Sequence, residues 1–458
     1  MGHSSSTDHP KDPNRPEVKA GSLEWLVFSA IIALALLVRL PYLPVIGYLG
    51  DLEHFASWGH TIAQHGLFRF YDPELRYGSG DRAYPPLSTV VFATVQMLRN
   101  PTAVSTPAAE LRDSVYVILL KLAPFLCEMG LIAAAYLWLR RQRLWRWLIP
   151  CLLAIYPGLL ATTVWWGQYE SAYLLFVVLA LIALNRDQPI LAWVSAAIGL
   201  LFKQPAVIVL PLLVILTFRR YGWRKTLIGL LLMGAISLLI HLPFMLASGP
   251  VAALSPYLNA SDAFPNLSNN AWNFWFFLGS LVNGAPIRFQ DPHFHDAVSI
   301  WGLFSYKTAG LLMFGTYSLL LLYWAWRNAD KRNEFIWATA LYFGFFMLPT
   351  QVHERYLYPV AVISVLALAQ DWRMIWIVVG VIFTYSYNIL GVAIPYNNPR
   401  DRLGIDTFAL PTAFLNIMLF IGTAWITRSN RRKTIMSAAS GANRASVSTD
   451  NDLIHTSG

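Results

Sequence analysis

Three short stretches of this 458-residue chain place charges where charges are costly. The first is Gly50-Asp51-Leu52-Glu53-His54, which follows the first long apolar run almost without a spacer. Carboxylates at a water–lipid boundary are unfavourable unless water, a partner or a substrate cation meets them. Asp51 suits a general base that takes a proton from a hydroxyl, with Glu53 as a helper that orients the substrate. A plainer reading also stands: an N-capping Asp with a Glu in the first helical turn. The second stretch is His353-Glu354-Arg355, between two apolar runs and without a glycine. Arg355 or His353 there suits a phosphate, because a guanidinium makes fork-like contacts with anionic oxygens; a tight charged turn is the alternative. The third is Lys203-Gln204, which interrupts two short apolar runs. Lys203 either faces an anion in a cavity or snorkels to a surface.

Trp165-Trp166-Gly167-Gln168 offers rings that stack on sugars and an amide that binds hydroxyls, or an ordinary aromatic belt. His293 and His295 read as histidines of an exposed loop rather than a metal site. The His353 and Glu354 spacing is no recognised metal-ligand pattern either. Asn259-Ala260-Ser261 and Asn266-Leu267-Ser268 match the N-glycosylation pattern.

The elements that must position these residues are membrane helices. Hydrophobic residues make up 56% of the chain and charged ones 13%, and the mean hydropathy is +0.47. Soluble domains average roughly 25% charged residues, and one soluble core cannot hide this much apolar surface. The net charge of +9 does not point to nucleic acid, because Lys and Arg fall in short clusters between apolar runs. Cys127 and Cys151 lie in apolar runs, which argues against a disulfide framework. No cleavable signal peptide is expected in the polar first twenty residues.

The expected organisation is a disordered cytoplasmic leader over 1–21, a transmembrane domain over 22–428 and a disordered cytoplasmic tail over 429–458. Two large outer loops are expected at 47–112 and 247–300. Within the first, Leu52, Phe55, Ala56, Ile62 and Ala63 have helical spacing and predict a helix on the membrane surface. The cluster Arg140-Arg141, Arg143 and Arg146 fixes the cytoplasmic side. Counting from it gives an all-α fold of about twelve transmembrane helices, within a range of about 11–13, each covering roughly 30 Å of hydrocarbon. The short runs Ile190–Leu201 and Pro205–Phe218 predict broken or re-entrant helices that line a cavity. No internal repeat is visible.

This topology rests on basic loops alone. It nevertheless brings Asp51, Glu53, Tyr84, Gln168, Glu170, Lys203, Asn269, His353, Glu354 and Arg355 to the extracytoplasmic ends of spans. Chemistry is therefore expected on that side, near the lipid boundary. A multi-pass transporter of a polar or lipid-linked substrate is the alternative, but it would need charges accessible from both sides.

Gly50-Asp51-Leu52-Glu53-His54, Tyr84-Pro85-Pro86-Leu87, Trp166-Gly167-Gln168 and His353-Glu354-Arg355-Tyr356 stand in an order that resembles the GT-C superfamily of polytopic glycosyltransferases. Two branches are similar. One is the glucosyltransferases that extend the dolichol-linked N-glycan precursor. The other is the second-mannose GPI mannosyltransferases and their bacterial relatives. The resemblance covers about Leu23 to Ile426. It implies inverting transfer of a hexose, mannose or glucose, from a polyprenyl- or dolichyl-phosphate sugar to a lipid-linked or membrane-proximal acceptor. Asp51 matches the family's base. Lys203, His353 and Arg355 are the expected donor-phosphate ligands. Tyr84, Trp166, Gln168, Glu170, Asn269 and Glu354 are the expected sugar and acceptor contacts. No metal site and no cofactor are expected, with a divalent cation left open, and membrane lipids are partners while nucleic acid is not. The membrane would be the plasma membrane of a bacterium or the endoplasmic reticulum of a eukaryote. One departure is Ala83, where the family carries an aspartate before Tyr-Pro-Pro; Asp81 and Arg82 are near but out of register.

Overall fold

The computed structural model describes residues 20–75, 84–142, 144–260, 264–287, 292–300, 302–397 and 406–429. Almost all of the expected leader and tail lies outside them, as do Asp81, Arg82 and Ala83. The chain is an all-helical, polytopic membrane protein. Its one two-stranded sheet among the described residues pairs Ser299–Ile300 antiparallel with Phe304–Ser305.

Among the described residues, six helices are long and apolar enough to cross a membrane: Glu24–Tyr42, Ser114–Leu139, Gln204–Ser248, Tyr306–Arg327, Trp372–Tyr396 and Asp406–Ser429. A seventh crossing is Trp145–Ile155 with Pro157–Trp166, if a pair bent by 48° counts as one span. The remaining expected crossings fall on shorter helices, Glu170–Asn185, Pro189–Phe202, Glu334–Met347 and Tyr358–Ala367. Length separates these two groups, and so does burial. The short helices Glu170–Asn185, Glu334–Met347 and Tyr358–Ala367 are buried along almost their whole length and form the centre. The long ones turn residues such as Trp25, Leu37, Leu231, Leu239, Leu319, Trp376 and Trp425 outward. An apolar periphery on this scale fits lipid as the solvent.

Local sequence sets the breaks. Asp113 accepts a hydrogen bond from Val115 N at 2.9 Å and starts the helix Ser114–Leu139. Asn273 and Ser305 cap Phe274–Asn283 and Tyr306–Arg327 in the same way. The predicted run Pro205–Phe218 opens as a 3-10 turn, Gln204–Val209, and continues into the long helix Leu210–Ser248. The basic stretch Arg219 to Lys225 is a sharp break at Gly222 (φ 79°) rather than an open loop.

The first loop holds two helices, α1 (Leu49–His65) and α2 (Pro86–Arg99). The predicted apolar face of α1 does not rest on lipid. Leu52, Phe55, Ala56, Trp58 and Ile62 are buried against α2, with Phe55 and Phe92 stacked at 5.0 Å. Protein replaces lipid as the apolar partner because α2 carries its own buried stripe, Thr89, Phe92, Ala93 and Gln96.

Candidate active site

Asp51 is not a helix cap. The N-cap of α1 is Tyr48, which makes no side-chain capping bond, and Asp51 lies in the first turn. Its carboxylate instead reaches across to the bent span. Trp166 Nε1 donates to Asp51 Oδ2 at 2.6 Å, and Gln168 Nε2 donates to the same oxygen. Asp51 is half-buried, and among the described residues both of its hydrogen bonds end on Oδ2. Two donors pin one oxygen, and no hydrogen bond to the other is seen among the described residues.

That geometry depends on how the chain turns at Trp166. Ala161–Trp166 is a single π-helical turn, a form often found at functional sites, and it ends at Gly167 with φ 93°. A side chain at Gly167 would be strained at this φ and would press on Leu52 and Lys121 at 3.0 and 3.2 Å, which favours glycine. Tyr48 stacks on Trp166 with ring centres 4.3 Å apart and fixes the indole. Lys121 ties the assembly together from below. Its ammonium is fully buried and donates to the carbonyls of Val164 (2.8 Å), Trp165 (3.0 Å) and Val45. Lys121 lies within the apolar run Val115–Leu139, and run length alone passes over it. Its signal was a charge in mid-run, seven residues before Glu128 on the same helical face.

Glu53 is two residues from Asp51 on an α-helix, and positions two apart do not face each other. The structure therefore separates the two acids. Tyr84, whose hydroxyl donates to Gln168 Oε1 at 3.2 Å, connects Asp51 and Gln168 to a cavity of 1310 Å³. Tyr84, Lys203, His353 and Arg355 all line that cavity, and Asp51 is two side chains behind its wall. The rest of the lining is mostly apolar and includes Val207, Ile208, Val251, Leu311 and Phe314.

Behind the cavity wall, Glu170 joins the cations. Lys203 Nζ donates to Glu170 Oε1 at 2.5 Å, and Arg355 Nε lies 3.7 Å from the same oxygen. Lys203 also lies over the Tyr84 ring, 5.1 Å from its centre. Arg355 Nη1 donates to Glu354 Oε1 at 3.0 Å and meets His353 Nδ1 at 3.4 Å. Two groups are left over: Glu170 Oε2 and Arg355 Nε are buried without a hydrogen-bond partner. Burial, with the positive charges of Arg355 and Lys203 beside it, holds His353 well below its ordinary range, so its ring is neutral. Burial pushes Glu354 upward, against the opposing pull of Arg355.

The other expected contacts lie inside the wall. Trp166 is 1% exposed, so it offers no open ring face; its indole N–H donates to Asp51. Gln168, Glu170 and Glu354 are equally buried. Asn269 latches the second loop to the 353 turn: its backbone N–H donates to Val352 O at 2.9 Å and its side-chain amide to Gln351 O at 2.9 Å. Asn266 donates to Asn269 Oδ1 at 2.8 Å, which folds that glycosylation pattern into the latch. No group of three or more His, Cys, Asp or Glu suited to a metal ion is present among the described residues.

No family model matches the chain, and no curated protein matches it. Among solved structures, the apo-state crystal structure of ArnT from Cupriavidus metallidurans is similar at 16% identity and a TM-score of 0.48, covering 88% of this chain and 76% of that one. At that level the likeness assigns neither family nor activity.

Proposed function

We propose that the chain is an inverting glycosyltransferase of the GT-C kind, which moves a hexose from a polyprenyl-phosphate sugar to a lipid-linked or membrane-proximal acceptor on the extracytoplasmic or lumenal side. The observation that supports this reading is the hydrogen-bond chain Asp51–Gln168–Tyr84, which links a half-pinned carboxylate outside the cavity lining to a largely apolar cavity lined by Lys203 and Arg355. The apolar lining suits a lipid tail and the cations suit its phosphate.

In the proposed step an acceptor hydroxyl oxygen attacks the anomeric carbon. Asp51 Oδ1 takes the hydroxyl proton as the new bond forms. The bond from the anomeric carbon to the phosphate oxygen breaks, and its electron pair leaves with the phosphate. Lys203 and Arg355 face the charge that develops there, which is where electrostatic help is largest. A single displacement of this kind inverts the anomeric centre. The leaving phosphate needs no proton, so one base and two cations suffice for the step, with a divalent cation left open.

The test is transfer of a labelled hexose from a polyprenyl-phosphate sugar by purified protein in lipid vesicles. Asp51→Asn is expected to lower the rate by roughly 10²–10⁴-fold, the range for a positioned general base. Undiminished transfer by Asp51→Asn removes Asp51 as the base. A wild type that neither binds nor uses any polyprenyl-phosphate sugar removes the reading altogether.

A further inference from the structure

The turn that carries His353 and Arg355 has a second anchor, which lies outside the cavity. Asp296 is 1% exposed and belongs to the second loop. Its Oδ2 accepts hydrogen bonds from Thr350 Oγ1 and Gln351 Nε2, both at 2.8 Å. Its backbone takes part as well: Asp296 N donates to Pro265 O at 3.1 Å, and Lys307 N donates to Asp296 O at 3.0 Å. Lys307, Thr350, Gln351, His353 and Arg355 all line the cavity, and Asp296 does not. The carboxylate thus stands behind the wall and joins two parts of it, the start of the helix Tyr306–Arg327 and the 349–351 turn.

The turn needs such a hold. Gln351 has φ 64°, a left-handed conformation that is uncommon for a residue with a side chain. Local backbone strain of this kind persists only where surrounding contacts fix it. Two hydrogen bonds to one buried carboxylate, on the strained residue and its neighbour, supply those contacts, and bonds to a charged acceptor are the stronger kind. Two residues later the chain presents His353, and Arg355 follows.

We propose that Asp296 is a positioning residue for anion recognition: it sets the 349–351 turn so that Arg355 and His353 meet the phosphate at the polar end of the cavity. This rests on the cavity being the donor-phosphate site. It assigns Asp296 no contact with substrate. Its effect is therefore expected on phosphate affinity and not on the displacement itself.

The experiment compares wild type with Asp296→Ala, Asp296→Asn and Thr350→Val in vesicles. Three quantities are read: the donor KM, kcat, and the direct affinity for a polyprenyl phosphate without sugar, followed by intrinsic tryptophan fluorescence. Asp296→Ala removes both side-chain bonds and is expected to weaken polyprenyl-phosphate binding and raise the donor KM by about tenfold, with kcat within about twofold. Asp296→Asn keeps one neutral oxygen that can accept from both donors but loses the charge, and Thr350→Val removes one donor, so both are expected to fall between wild type and Asp296→Ala. Melting temperature separates positioning from folding. Unchanged affinity in Asp296→Ala overturns the proposal, and so does a loss of kcat, affinity and melting temperature together in all three variants. Binding of polyprenyl phosphate without any transfer would sink the transferase reading and still test Asp296 through the affinity series. A wild type that does not bind polyprenyl phosphate overturns both.

Discussion

Two of the buried ion pairs among the described residues are finished to different degrees. Arg39 and Glu128, with side chains 0% and 1% exposed, meet where the first span crosses Ser114–Leu139. Arg39 Nε and Nη2 donate to the two Glu128 oxygens at 3.2 and 3.1 Å, and the remaining donors reach the carbonyls of Ala35, Leu153 and Ala154. Every nitrogen of that guanidinium is engaged. At the Lys203, Glu170 and Arg355 cluster, burial is almost as deep, but Glu170 Oε2 and Arg355 Nε lack hydrogen-bond partners. A buried polar group without a partner is unfavourable by about 1–3 kcal/mol. A saturated pair ties helices together. An unsaturated one keeps capacity for a ligand only where a cavity adjoins it, because the buried Arg220–Glu334 pair also leaves Arg220 Nη2 without a partner and lies outside the cavity lining.

The largest effect expected from this contrast is on Arg39. Arg39→Ala leaves Glu128 charged, buried and alone, and should cost about 3–5 kcal/mol, read as a large drop in melting temperature or loss of folded protein. Replacing the pair together, as Arg39→Met with Glu128→Leu, should recover most of that loss, because an apolar pair buried between the helices has no charges to desolvate. If the double variant is as unstable as the single one, the pair holds the fold by more than compensation of charge. Arg355→Gln should divide its effect differently. It takes the cation from the buried Glu354 but leaves an amide that can donate to it and leaves Lys203 on Glu170, so the melting temperature should fall by less than in Arg39→Ala, while the donor KM rises roughly 10–100-fold. A stability loss in Arg355→Gln as large as that in Arg39→Ala would erase the contrast.

Lys203 lies between these two extremes. Lys203→Met strands Glu170 with Arg355 as its remaining cation and should lower both stability and donor affinity. Adding Glu170→Gln should restore the melting temperature but not the affinity. Recovery of both would make the pair purely structural, and recovery of neither would mean that Glu170 acts on its own.

Parts of this arrangement were legible in the residues and parts were not. Asp51, Trp166 and Gln168 were visible because polar groups next to apolar runs stand out, and the structure brings them together in one hydrogen-bonded unit. The broken helix at Lys203 was visible from run length, and it does border a cavity. Glu53 looked like a partner for Asp51 because adjacency in sequence says nothing about direction until the helix start is fixed at Leu49. Arg39, Lys121 and Glu128 were hidden inside runs that read as lipid-spanning, since a window average absorbs one charge. Asp296 was hidden for another reason: its partners are more than fifty residues away, and only the fold joins them.

The smallest expected effect concerns His353, the member of the cavity lining that looks most able to titrate. Burial and its cationic neighbours depress its proton affinity, so in the folded protein it is neutral at and above the ordinary histidine value of about 6.5. The sign follows from linkage. A base whose folded pKa is lowered favours folding fully above the unfolded value, and that contribution fades as pH falls through about 6.5 toward the folded value. Near neutrality the ring contributes a hydrogen-bonding group and no charge. His353→Gln, which keeps a neutral polar side chain, should therefore leave the pH profile of transfer near neutrality unchanged and should flatten the decline of melting temperature below about pH 6.5. A profile whose limb near neutrality moves in His353→Gln would mean that the imidazolium is the active form, and the polar end of the cavity would then hold three cations rather than two.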